Sequence, residues 1–176
     1  MPEVPLENAH ETIEHHAHQS GEKWVMGVAL SAAICAALAA ITALLAEHHA
    51  QEAMLKKIEA NDHFSEYQAD SIKSKIIEIK LDILKSFGKE LPPADLAKVA
   101  DYASRKGGIK EIADKANEES DKHLKRHQPL SSALTMFQVA IAVGAISVLT
   151  KKKAFWFVSM VVGTIGIVYF CIGLMP

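Results

Sequence analysis

The chain has 176 residues, of which 49% are apolar and 23% charged, and its formal net charge is −2. That length leaves room for one small soluble domain at most beside any membrane part. The near-balanced charge presents no basic face for nucleic acid. Cys35 and Cys171 both fall in apolar stretches, where thiols behave as small buried hydrophobes and a redox pair would need close helix contact.

Residues 1–23 form a polar tail with five acids and one Lys, interrupted by Pro2 and Pro5. The tail shows no sustained apolar face, so a mobile segment is expected. The apolar run that follows, residues 24–46, does not fit a secretory signal, which would pair a basic start with a short apolar core and a cleavage site: it is 23 residues long and follows an acidic tail. Within the tail His10/Glu14, Glu11/His15 and His15/His18 would align as ligand pairs if a metal such as zinc folded it into a helix. Spacing of that kind without Cys, including His16 beside it, is more often a flexible polar tail.

Three charge-free apolar stretches follow: 24–46, 130–150 and 154–174. Each is long enough to cross the hydrocarbon core as a helix. Between the first two lies residues 47–129, with fifteen Lys/Arg and sixteen Asp/Glu. From Trp24 there is no Pro until Pro92 and, after Gly27, no Gly until Gly88. The spacing predicts one helix of roughly 64 residues whose first third is transmembrane.

A helix that long is held by packing of an apolar stripe. Leu55 and Ile58 begin one; it lapses at Asp62 and Ser65, then resumes at Ala69, Ile72, Ile76, Ile79 and Ile83. This is a heptad-like seam. Gly88 and Pro92-Pro93 should stop the helix and turn the chain. A short helix to about Lys106, with Leu96, Val99, Ala100 and Ala103 inward, is expected to end at Gly107-Gly108. A third stretch, 109–127, carries Ile112, Ala113, Ala116, Ser120, His123 and Leu124 at helical spacing and leads into the second span. Pro129 falls where a helix can kink or restart. The outward and returning lengths match, so the expected fold is an all-α membrane protein: three transmembrane helices with a long, coiled-coil-like extramembrane hairpin between the first two.

Lys151-Lys152-Lys153 alone joins spans two and three, and the positive-inside rule places that short turn in the cytoplasm. The amino terminus is then cytoplasmic and the helical module external. Lysines near the module's own membrane boundary pull the other way, but long connections translocate with little regard to charge.

Candidate sites are few. His48 and His49 leave the first span as His123 and His127 approach the second. A hairpin would bring all four to similar heights, where they are candidates for metal binding or a proton-sensitive neck. Interfacial histidines hydrating the headgroup level are the plainer reading. Gly27, Ser31, Cys35, Ala39 and Ala43 form a small-residue ridge on span one, with Gln138 and Gly163 as complements on the other spans. This is a packing face. No span holds Asp, Glu, Lys, Arg or His, which speaks against a proton relay or charged filter in the bilayer.

Residues 61–73 break the heptad stripe with polar and aromatic side chains, among them Tyr67, Gln68, Ser71 and Lys73. Taken alone, they form a polar layer that fixes helix register. This string, the alanine-rich first span opening at Trp24 and the last helical hairpin turning at Thr150–Lys153 resemble the bacterial domain-of-unknown-function family numbered 4337, over most of the chain from about Lys23. Phe64 and Ser65 depart from it where a larger aromatic such as Trp is expected. The resemblance implies a multi-pass inner-membrane protein with this span layout and no assigned activity.

No nucleophile has a positioned base, so an enzyme is not expected, nor is any cofactor. The expected partners are the lipid bilayer and further copies of the chain, with no small-molecule ligand indicated. Two functions fit: an oligomeric scaffolding or interaction protein whose module mediates assembly, or a channel or transporter subunit closing a pore by ring assembly. An axis lined by Ser31, Thr42 or Gln138 would favour the second.

Overall fold

The computed structural model of the protein describes residues 23–175. Its three α-helices are α1, Lys23–Ser86, α2, Pro93–Thr150, and α3, Lys153–Leu174. No strand occurs among the described residues. Each helix contains a stretch long and apolar enough to cross a membrane. The His-rich tail lies outside the described residues.

Helix α1 is the unbroken 64-residue helix the sequence predicts. Gly88 ends it with φ +64°, a left-handed conformation open to glycine at little cost. The Lys89 amide donates to the Leu84 carbonyl at 2.9 Å and the Gly88 amide to Lys85 at 3.1 Å. These are the two bonds of a Schellman cap. Pro92 then accepts the first amides of α2, from Asp95 at 3.1 Å and Leu96 at 3.3 Å.

Helix α2 departs from expectation. Gly107-Gly108 do not end it: one helix of 58 residues passes through both glycines and through Pro129. Each glycine costs a helix interior about 1 kcal/mol relative to Ala. Contacts with α1 on both sides, at Arg105 and at Ala113/Ala116, hold the segment helical. Tertiary packing outweighs propensity here. The α2–α3 turn repeats the cap at Ser86–Lys89 with Lys151 at the left-handed position, φ 53°; the Lys152 amide donates to Ser147 and the Lys151 amide to Val148, both at 3.2 Å.

The chain divides into two compact units, one comprising the described residues up to Ala50 with those from Leu124 onward, the other Gln51–His123. In the first unit a core of Val25, Val28, Ala32, Ala145 and Val148 packs with Trp24 and Trp156. Helix α3 turns a stripe of buried Ser159, Gly163, Gly166 and Gly173 to its neighbours. The stripe has to be small. A Cβ on Gly166 would lie 2.8 Å from the Phe137 ring, and one on Gly173 2.6 Å from Leu130 Cγ. The Ser159 hydroxyl donates to the Ala140 carbonyl at 2.7 Å. A side chain that short reaches a neighbouring backbone only when the helices approach closely.

In the second unit α1 and α2 run antiparallel, since Ala53 meets Ser120, Asp70 meets Arg105 and Lys80 meets Asp95. The packed seam is not the predicted aliphatic stripe. Buried on α1 are Ala53, Ala60, Asp70, Ser74 and Leu81, facing Ala113, Ala116 and Ser120 of α2. The Ser120 hydroxyl donates to the Ala53 carbonyl at 2.7 Å. Small side chains let the two backbones close to that distance, which a seam of Ile would prevent. Of the residues expected inward on the returning helix, Ala113, Ala116 and Ser120 are buried, whereas Leu96, Ile112 and Leu124 are exposed.

Candidate functional site

The predicted stripe therefore lies on the uncovered face of α1. Ile72 and Ile76 are each 61% exposed, Ile79 49% and Ile83 51%. Leu55 and Ile58, further back along the same stripe, are exposed as well. Ile76 stands two residues from buried Ser74, and Ile83 two from buried Leu81. Two residues are ~200° around a helix of 3.6 residues per turn, so α1 is apolar on two opposite faces of this unit. One is covered by α2; the other has no apolar cover among the described residues.

The polar layer, residues 61–73, belongs to the same unit. Tyr67 is half-buried with Lys106 Nζ 5.7 Å from its ring centre. Gln68 and Lys73 are exposed, and Ser71 is half-buried with its hydroxyl unpaired. The sequence pattern alone does not single out the central member, Asp70, whose side chain is only 6% exposed. Its two oxygens lie 3.5 Å from Lys73 Nζ on the same helix and 3.5 Å from Arg105 Nη2 across the seam. Those distances are too long for charge-assisted hydrogen bonds, and Asp70 Oδ2 makes none.

Around it, exposed ion pairs tie the two helices. Lys56 Nζ lies 3.0 Å from both Glu119 and Glu59. Hydrogen bonds donated by its ammonium to Glu119 first and Glu59 second raise the Lys56 pKa above its ordinary value, and accepting from Lys56 lowers that of Glu119. Lys57 also bonds Asn117 across the seam, and Lys80 bonds Asp95 at 2.6 Å near the tip.

The neck histidines divide between the two units. His127 Nδ1 lies 3.0 Å from the Ala46 carbonyl oxygen, a hydrogen bond when that nitrogen carries the proton. His48 and His49 stand with ring centres 5.5 Å apart, and His123 belongs to the other unit. Among the described residues no group of three or more His, Cys, Asp or Glu is placed to hold a metal ion.

On span one, the most buried positions are Val25, Val28, Ala32, Thr42 and Ala46. The ridge Gly27, Ser31, Cys35, Ala39 and Ala43 lies beside them and is half-buried, as is Gln138 on α2. Gly27 makes room for an aromatic ring, because a Cβ there would come within 3.1 Å of the Trp156 indole. The indole Nε1 donates to the Ser31 hydroxyl at 3.4 Å, and that hydroxyl donates to Val28 O at 2.9 Å. Gly163 lies buried opposite Cys35, whose Sγ would be 3.4 Å from an added Cβ. Next to this contact a groove of about 130 Å³ opens between α1 and α3, lined by Ser31, Cys35, Leu38, Met160, Gly163 and Ile167 among others.

These features define an all-helical protein with three candidate membrane spans and a charged two-helix unit that exposes an aliphatic face at Ile72, Ile76, Ile79 and Ile83. Residues 24–176 match the family described as Domain of unknown function (DUF4337), and the chain belongs to that family. No curated protein and no solved structure matches it.

Proposed function

We propose that the chain is a non-enzymatic, oligomeric scaffolding protein of the bacterial inner membrane, whose module, residues 47–129, stands outside the bilayer and assembles with further copies. One observation carries this reading: the exposed Ile72, Ile76, Ile79 and Ile83 at spacings of four, three and four residues on the uncovered face of α1. Such spacing is a knobs-into-holes seam awaiting a partner helix, and a second copy presents the same seam. With about half of each side chain still exposed, covering them contributes about 1 kcal/mol apiece. Ile at both core positions of a heptad favours assemblies of three or four strands over two.

The same reading puts the amino terminus and Lys151–Lys153 in the cytoplasm and the module on the external side. A conducting ring is less well supported. The Ser31 and Thr42 hydroxyls bond backbone carbonyls of their own helix, to Val28 and Leu38, and Thr42 is fully buried. Neither offers a polar lining for an axis. The test is the protein mass of detergent-solubilised particles, after correction for bound detergent. Multiples of the 19.2 kDa chain that fall to one copy on substituting Ile76 and Ile79 with Glu support the proposal. A wild-type particle of one copy overturns it.

A further inference from the structure

We propose that the lysine turn between α2 and α3, with the groove beside it, is a binding site for one anionic phospholipid. Lys151, Lys152 and Lys153 are contiguous and exposed. Among the described residues of their unit the one carboxylate is Glu47. It stands 23 residues along α1 from Trp24, or ~35 Å at 1.5 Å per residue. The charge of the turn is therefore uncompensated within that unit. Lys151 also occupies the left-handed cap position where glycine is least strained, so the turn's geometry does not require a lysine there.

Two tryptophans stand at this level. Lys153 Nζ lies 5.9 Å from the Trp24 ring centre, and Trp156, three residues further on, packs over Gly27 and bonds Ser31. Tryptophan with lysine is the pairing that settles at the headgroup layer. Ser31 is also the first α1 residue lining the groove, which continues to Leu38 on α1 and from Ser159 to Ile167 on α3. An apolar slot thus begins where the tryptophans end and runs along the span for ~10 Å of helix. The lysines hold a phosphate by charge, the indoles flank the glycerol region, and an acyl chain lies in the slot. A molecule that is anionic at one end and aliphatic at the other fits both parts at once.

The test uses the full chain in neutral detergent, titrated with brominated phosphatidylglycerol or with phosphatidylcholine of the same acyl chains. Trp24 and Trp156 are the two tryptophans of the chain, so bromine quenching reports on this site. Near-surface lysines act roughly additively, so the anionic lipid should bind on the order of a hundredfold more tightly. Lys151→Gln, Lys152→Gln and Lys153→Gln together should remove that preference, and Lys152→Gln alone should lower affinity about fivefold. Thr164→Phe, which fills the groove from an exposed position, should weaken both lipids. Equal quenching by the two lipids, displacement by inorganic phosphate at the same concentration, or an unchanged response in Thr164→Phe overturns the proposal. So does a Thr164→Phe variant whose particle mass drops while lipid quenching is retained, which would make the groove a contact between copies.

Discussion

Asp70 and Arg105 should respond to substitution with opposite signs. The Asp70 carboxylate is 6% exposed and has cations only at 3.5 Å, whereas Arg105 is 47% exposed. An ion taken from water costs several kcal/mol, and loose pairing recovers part of it. Arg105→Ala leaves the buried acid with Lys73 alone, itself 58% exposed. Breaking a buried pair typically costs 3–5 kcal/mol; with Arg105 half in water, about 1–3 kcal/mol is expected. Asp70→Ala removes the desolvated charge and extends the alanine seam of Ala53 and Ala60, so stability should be unchanged or rise by about 1 kcal/mol. The double variant should behave like Asp70→Ala, giving a coupling of about 1–3 kcal/mol. Native-state hydrogen exchange of amides in residues 60–81 and 95–116 reads this locally without assuming that both units unfold together. Loss of protection in Asp70→Ala equal to that in Arg105→Ala, or additive single effects, would mean that the buried carboxylate is not an uncompensated charge.

The glycines of α3 should divide by the room at each. Gly173→Ala and Gly166→Ala place a Cβ within 2.6 Å of Leu130 and 2.8 Å of Phe137, both fully buried. Each should cost about 1–3 kcal/mol, seen as a lower thermal midpoint in detergent, while Gly163→Ala, with contacts at 3.4 and 3.7 Å, should be tolerated. The Lys56–Glu119 pair should make the two-helix unit sensitive to pH at both ends. Glu119 is lowered by Lys56, so its contribution is present above the ordinary carboxylate pKa and is lost as pH falls through the folded value. Lys56 is raised, so its contribution is present below the ordinary lysine pKa and is lost as pH rises through the folded value. Exchange protection near residues 53–60 and 113–120, corrected for intrinsic rates, should dip at both extremes; Glu119→Gln should reduce both dips, since Glu119 is also the main cause of the raised Lys56 value, and high salt should shrink both.

Much of the architecture was legible because its signals are strong. Charge-free runs of span length and a 64-residue stretch with a break only at Gly88 and Pro92 leave few alternatives. The packed face was not legible. Hydropathy points to Ile72, Ile76, Ile79 and Ile83, yet α2 closes on Ala53, Ala60 and Ser74, because close backbone approach rewards small side chains. For the same reason Asp70 reads as a surface acid in a polar layer and Gly107-Gly108 as a stop. The ridge from Gly27 to Ala43 was visible as small residues, but which of them meets an aromatic depends on Trp156, 129 positions away from Gly27 in the chain. Site chemistry was the least legible: the neck histidines come from two distant stretches of the chain, and their partners, the Ala46 carbonyl for His127 and the neighbouring ring for His48 and His49, are not written in their spacing.

The proposed joining of copies through the aliphatic face of α1 can be read from a single cross-link. In a background with Cys35 and Cys171 replaced by Ala and Ser, Ile76→Cys should form an oxidative cross-link between copies in native membranes, and a cysteine at Ala113 on the covered seam should not. Cross-linking at both positions alike, or at neither, would contradict the account.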